Sequence, residues 1–253
     1  MISQKELSYY SSLLRKKNRR IENKFIVEGK KSVIEGLNSN YYCEIIFVTH
    51  NFTEENVKLF SEIVNSKRKI VTLKQKEFQK ISDTESPQGI AAVFIKPDFS
   101  FSTKKFKDDN IIVMIDNISD PGNLGTIIRN CDWFGVKNIF LSESIVEFTN
   151  PKVIRASMGS IFHVNLFENV TYSNLNGLKS TGFEILCADT QGENIFSYQI
   201  KKKIILILSS ESHGPGEEFE NISDYKITIP KLGEAESLNV ASASAVLLAQ
   251  LTK

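Results

Sequence analysis

Apolar residues recur along this chain with two periods, and the alternation between them is the first clue to its architecture. Where they fall every three or four positions the pattern predicts a helix; where they run unbroken between turn residues it predicts a buried strand. Ser3 followed by Glu6 fits a capping box. It opens a helix expected to reach about Lys17, with Leu7, Tyr10, Leu13 and Leu14 on one side. Strands are expected at 24–27, 44–49, 69–73 and 89–95, with helices at 30–37, 54–65 and 76–82 between them. That alternation describes a small α/β domain.

The rhythm breaks over Lys96 to Asn110, where Pro97, three hydroxyl residues and a dense mixture of Lys and Asp read as a linker. It restarts with a strand at 111–116, a glycine-bearing turn and a helix to about Phe134. Further strands are expected at 138–141, 162–166, 184–188, 204–208 and 226–229. A closing helix, 238–251, is rich in Ala, Val and Leu and apolar on nearly every face. Such a helix belongs in a core or at a subunit interface. The expected organisation is residues 1–97 as one α/β domain, 98–109 as linker and 110–253 as a second α/β domain.

Charge changes the picture only locally. The net charge of the 253 residues is +1, but residues 1–31 carry nine Lys or Arg against three Glu. Arg15, Lys16, Lys17, Arg19 and Arg20 form a run that suits contact with a nucleic-acid backbone, as it also suits a solvated helix end. Cys43, Cys131 and Cys187 are far apart, without metal-ligand or disulfide-framework spacing. No signal peptide and no apolar stretch long enough to span a membrane is evident. A reduced, cytoplasmic protein with no metal is the expectation. His50, His163 and His213 lack paired ligands, and no dinucleotide fingerprint, Walker A sequence or nucleophile elbow occurs.

Three segments carry chemistry. In the first, Asp120-Pro121-Gly122-Asn123 is strong turn chemistry, and Gly125 lets a helix start close to the preceding strand. Asn123 and Arg129 can both project at the carboxyl edge of the sheet, where α/β proteins bind ligands. The second, Ser209-Ser210-Glu211-Ser212-His213-Gly214, follows an apolar strand with small residues and one carboxylate. The third runs from Ile229-Pro230 to Glu236-Ser237-Leu238-Asn239-Val240. Ser237 can cap the closing helix, and Asn239 falls in its first turn, where a buried amide needs partners.

Together these segments resemble the signature motifs of the SpoU branch of the SPOUT superfamily, the TrmH-like RNA ribose methyltransferases. The order and spacing match D-P-x-N-x-G-x-x-x-R, a small-x-Glu-x-x-Gly turn and I-P-…-E-S-L-N-V. Lys152 to Ser160 is similar to the family's stretch between the first two motifs. The resemblance covers about 111–253. More loosely, Phe25-Ile26-Val27-Glu28-Gly29 and the helix after it resemble the L30e-like substrate-binding domain of the same enzymes.

The resemblance implies an α/β fold whose C-terminal domain is tied in a trefoil knot, an S-adenosylmethionine cofactor, an RNA substrate and a homodimer. It implies Arg129 as the catalytic arginine at the ribose 2′-hydroxyl, with Asn123 positioning it or the substrate. Glu211, Ser237 and Asn239 match the remaining polar motif positions. Donor contacts are expected at Ser209, Gly214, Ile229 and Leu238, with Ala188, Asp189 and Thr190 adding more. The family usually has glycine where this chain has Ser209; serine is small, which implies lower donor affinity at worst and no loss of function. Ribosomal RNA is favoured over transfer RNA by the two-domain layout. A transfer-RNA methyltransferase and a non-catalytic RNA-binding relative stay open as alternatives.

Overall fold

The computed structural model describes residues 2–200, 203–210 and 214–253; Glu211, expected in the site, lies outside them. The chain forms two compact units, Met1–Asp98 with Glu147–Phe162, and Phe99–Val146 with His163–Lys253.

The first unit begins with α1 (Gln4–Ser12), whose capping box forms as expected between Ser3 and Glu6. The single long opening helix does not form. The chain turns at Leu13–Arg15, where Leu13 is fully buried, and restarts as α2 (Lys16–Glu22). Then come β1 (Lys24–Glu28), α3 (Lys30–Leu37), β2 (Cys43–Thr49), α4 (His50–Glu55), α5 (Val57–Asn65), β3 (Ile70–Leu73), α6 (Gln75–Phe78) and β4 (Ile90–Ile95). The helix expected at 54–65 is interrupted at Asn56, whose side chain donates to the Phe52 carbonyl. Local bonding of this kind competes with helix continuation. The sheet order is β1-β4-β2-β3, with only β2 and β3 parallel. One face packs Leu7, Tyr10, Leu13, Phe47 and Phe78. Against the other lie α3 and the aromatic cluster of Phe25, Tyr41, Phe94 and Phe162. Gly36 is required there, because a Cβ would sit 2.5 Å from Phe94 Cζ.

The second unit has a six-stranded sheet, and every pairing in it is parallel. Its strands are β5 (Ile111–Asp116), β6 (Asn138–Leu141), β7 (Asn165–Phe167), β8 (Phe183–Asn194), β9 (Lys203–Ser209) and β10 (Tyr225–Thr228). Its helices are α7 (Pro121–Trp133), α9 (Tyr172–Lys179), α10 (Glu217–Asn221) and α11 (Val240–Leu251), while α8 (Pro151–Ser157) belongs to the first unit. The order β10-β8-β9-β5-β6-β7 puts the unbroken apolar runs of β5 and β9 side by side at the centre, buried on both faces. The stretch read as a linker supplies Phe99, Phe101 and Phe106 to this core. The strand expected at 162–166 starts only at Asn165, because Phe162 closes a short 3-10 turn, Ser160–Phe162. From β5 the chain builds outward through β6 and β7 on one side, then returns to place β8, β9 and β10 on the other. The carboxyl ends of β5 and β9 therefore flank the switch point at which α/β sheets bind ligands. No described helix is long and apolar enough to cross a membrane.

Candidate active site

Asp120 opens α7 as its N-cap, its Oδ1 accepting from the Asn123 amide N–H at 2.7 Å, with Pro121 in the first turn. This fixes Asn123 one turn inside the helix. The closing helix is capped not by Ser237 but by Asn239. Its Oδ1 accepts from the amides of Ala241 at 3.0 Å and Ser242 at 3.4 Å, and α11 starts at Val240. Ser237 and Leu238 lie outside the helix and are exposed. Asn239 is exposed as well, yet both ends of its side-chain amide are bonded.

These bonds set the orientation of a second amide. Because Asn239 Oδ1 faces backbone donors, its Nδ2 must face away, and it donates to Asn123 Oδ1 at 3.0 Å. Asn123 then has to present Oδ1 to Asn239 and its own Nδ2 outward as a donor. That Nδ2 has no partner among the described residues. The first and third motifs thus meet through an oriented pair of amides. Asn130, seven residues after Asn123 and on the same helix face, makes the second link. Its Nδ2 donates to the Ala241 carbonyl at 2.9 Å and to Ser244 Oγ at 2.8 Å. Ser244 is fully buried in α11. Sequence reasoning missed Asn130; the signal was an amide between the apolar Ile128 and Cys131. Arg129 lies on the flank of α7, exposed, with no ion pair or hydrogen bond among the described residues. It does not bond Asn123.

The segments expected to touch a donor converge at the sheet's carboxyl edge. Asp116, buried at the end of β5, accepts from the Gly216 amide at 2.7 Å, and Asn117 Nδ2 donates to the Gly214 carbonyl at 3.2 Å. Two bonds therefore hold the backbone after β9 over the end of β5. Gly214 has φ +65°, a conformation that favours glycine. Thr228 Oγ1 donates to the Thr190 carbonyl at 3.1 Å, joining the end of β10 to the outer part of β8. Ala188, Asp189, Ser209 and Ile229 are half-buried along this edge, while Thr190 is exposed. The Asp189 carboxylate is held below its usual range: the Gln191 amide N–H and the Lys226 ammonium outweigh the burial that pushes it up. Leu232 is fully exposed and Leu238 half exposed nearby in sequence. No group of three potential metal ligands occurs among the described residues.

The basic run divides. Arg19 is 5% exposed; one guanidinium nitrogen donates to the Leu13 and Leu14 carbonyls and the other to Glu147 at 2.8 Å. Arg20 Nε pairs with the other oxygen of Glu147 at 2.9 Å. Arg15, Lys16 and Lys17 are exposed.

Two family descriptions match the sequence: the SpoU rRNA methylase family over residues 110–249 and the MRM3-like substrate-binding domain over residues 5–92. The chain belongs to the SpoU rRNA methylase family. A Bacillus subtilis relative, 23S rRNA (guanosine(2553)-2′-O)-methyltransferase RlmP, is 30% identical over 96% of this chain and 94% of its own length. A solved TrmH-family structure from Porphyromonas gingivalis, 29% identical, superposes with a TM-score of 0.85 over 99% of this chain and 98% of that one. The SpoU methyltransferase AviRb from Streptomyces viridochromogenes, solved with AdoMet, shares the fold with a TM-score of 0.89 at 20% identity, over 99% of this chain and 97% of that one. The family so shown is the one that the three motifs resemble.

Proposed function

We propose that this chain transfers a methyl group from S-adenosylmethionine to a ribose 2′-hydroxyl of ribosomal RNA. The observation that carries the reading is the Asn239–Asn123 amide pair, which presents a donor on the helix that also carries the exposed Arg129, neither with a partner among the described residues. Family membership and the name of the Bacillus relative support the reaction and the class of RNA.

The carboxyl edge of the sheet fits the donor. It offers main chain at Ala188–Thr190, Ser209, Gly214 and Ile229 and the half-buried carboxylate of Asp189. S-adenosylmethionine, when bound, supplies an electrophilic methyl on a positively charged sulfur. This chain's part is alignment and charge. Holding the ribose oxygen in line converts a bimolecular step into an intramolecular one. Asn123 Nδ2 and the Arg129 guanidinium are donors, so both favour oxygen as it becomes alkoxide-like. A guanidinium has donors and no acceptor, so it is a poor base; Arg129 acts here as a donor, and the departing proton goes to an RNA phosphate or water. Ser237 and Glu211 complete the polar set by motif position.

The N-terminal unit recognises RNA, with Arg15, Lys16 and Lys17 as its phosphate contacts. Arg19 is spent on Glu147 and Leu13, so its role is structural, and Arg20 is partly engaged. The active protein is a cytoplasmic homodimer whose C-terminal domain carries the family's trefoil knot. Supporting the dimer is a concavity of about 330 Å³ lined by Phe196, Ala245, Val246 and Ala249, with Gln250 and Lys253 at its polar side; a monomer in sedimentation at micromolar concentration would refute it. The test of function is Arg129→Ala. It should lose turnover by at least about a hundredfold, as loss of a charge-stabilising donor does elsewhere, while donor binding by calorimetry is kept. Wild-type-like turnover sinks the reading. Absent donor binding in the unaltered protein would favour a non-catalytic RNA-binding role.

A further inference from the structure

Trp133 is the only tryptophan in the chain, and it is 83% exposed at the end of α7. Among the described residues nothing stacks on its ring and its indole N–H has no hydrogen-bond partner. A side chain of this size normally supplies contact area to a core or interface. Trp133 lies four residues after Arg129, so the two share one flank of the helix, about 6 Å apart along its axis. The adjacent face of the helix is occupied: Asn123 and Asn130 bond the closing helix and its cap. The neighbouring acid, Asp132, is engaged by His163 Nδ1 at 2.8 Å. Lys137 adds an exposed cation beyond the end of the helix. The flank thus combines a guanidinium and an indole face.

We propose that Trp133 is a substrate-contacting residue that stacks on a nucleobase beside the nucleotide whose ribose is methylated. The inference rests on the reading of Arg129 as the group at that ribose. Ribose 2′-hydroxyls are most open where the target nucleotide is unstacked from its neighbours. Unstacked bases are held by aromatic faces, tolerantly of sequence, while cations take the phosphates. Trp133 therefore sets where the strand is gripped relative to Arg129.

Intrinsic tryptophan emission reports this residue alone. Titration of the full-length protein with a short single-stranded oligoribonucleotide of mixed sequence should quench the emission saturably. The same oligonucleotide made abasic should not quench it. Trp133→Ala should raise KM for RNA about tenfold or more, the scale of one lost base stack, with kcat within about twofold. Trp133→Phe, which keeps a smaller ring, should fall between. Emission unchanged by RNA overturns the proposal, as does emission that shifts with protein concentration alone and so reports a second copy covering the ring. Unchanged KM in Trp133→Ala overturns it too. Arg129→Ala separates the two ideas: full turnover there removes the catalytic reading, whereas quenching by RNA stands or falls independently.

Discussion

Replacing Asn239 separates its structural job from its chemical one. Asn239→Ala removes an N-cap, about 1 kcal/mol, and the exposed hydrogen bond to Asn123, about 0.5 kcal/mol. The C-terminal unit should melt about 4 °C lower by calorimetry. Asn239→Asp keeps the cap, since its carboxylate accepts from the Ala241 and Ser242 amides just as the Asn239 oxygen does. It also adds a favourable charge at the start of α11, about 0.3–1 kcal/mol. Stability should be equal to wild type or slightly higher. Activity should not follow. Aspartate has no donor for Asn123 Oδ1, so Asn123 either loses its anchor or flips and turns an oxygen where its donor was. Loss of one such donor at the reacting oxygen is worth about 1.4 kcal/mol, or about tenfold in kcat. Methyl transfer under saturating RNA and donor, measured beside calorimetry, reads both effects. If Asn239→Asp retains full kcat, the oriented amide pair has no catalytic meaning.

Other outcomes follow from the same structure. Glu147→Ala leaves the Arg19 guanidinium buried and unpaired. It should destabilise the N-terminal unit by about 3 kcal/mol, the low end for a broken buried pair, because two carbonyl bonds survive; chemical denaturation followed by circular dichroism checks this, and a change under 1 kcal/mol would contradict it. Replacing Arg15, Lys16 and Lys17 together with Ser should leave melting unchanged. The slope of log affinity for single-stranded RNA against log salt should fall by up to about 0.7 per lost contact, and an unchanged slope would move RNA docking to another surface.

Much of this was legible in the sequence because burial on two faces leaves no choice of pattern. The runs of β5 and β9 read as buried strands, and the Ser3–Glu6 box read as a helix start. Other features depended on partners distant in sequence. Nothing local marks Arg19 as buried, since its acceptor Glu147 lies 128 positions away. Ser237 and Asn239 are both good N-caps, and the choice between them is made by Asn123. The outer part of β8, from Asp189 to Asn194, is polar and exposed, so no apolar period revealed it. It is held by pairing with β10 and the Thr228–Thr190 bond.

The most direct test is to find where the methyl group goes. The purified protein should be incubated with methyl-labelled S-adenosylmethionine and ribosomal RNA from cells lacking the protein. The RNA is then digested to nucleosides in one portion and hydrolysed in alkali in another. The account predicts label in a 2′-O-methylnucleoside, and in an alkali-resistant dinucleotide because the blocked 2′-oxygen cannot cleave the adjacent phosphodiester. Label on a base, or no label in RNA at all, would contradict it.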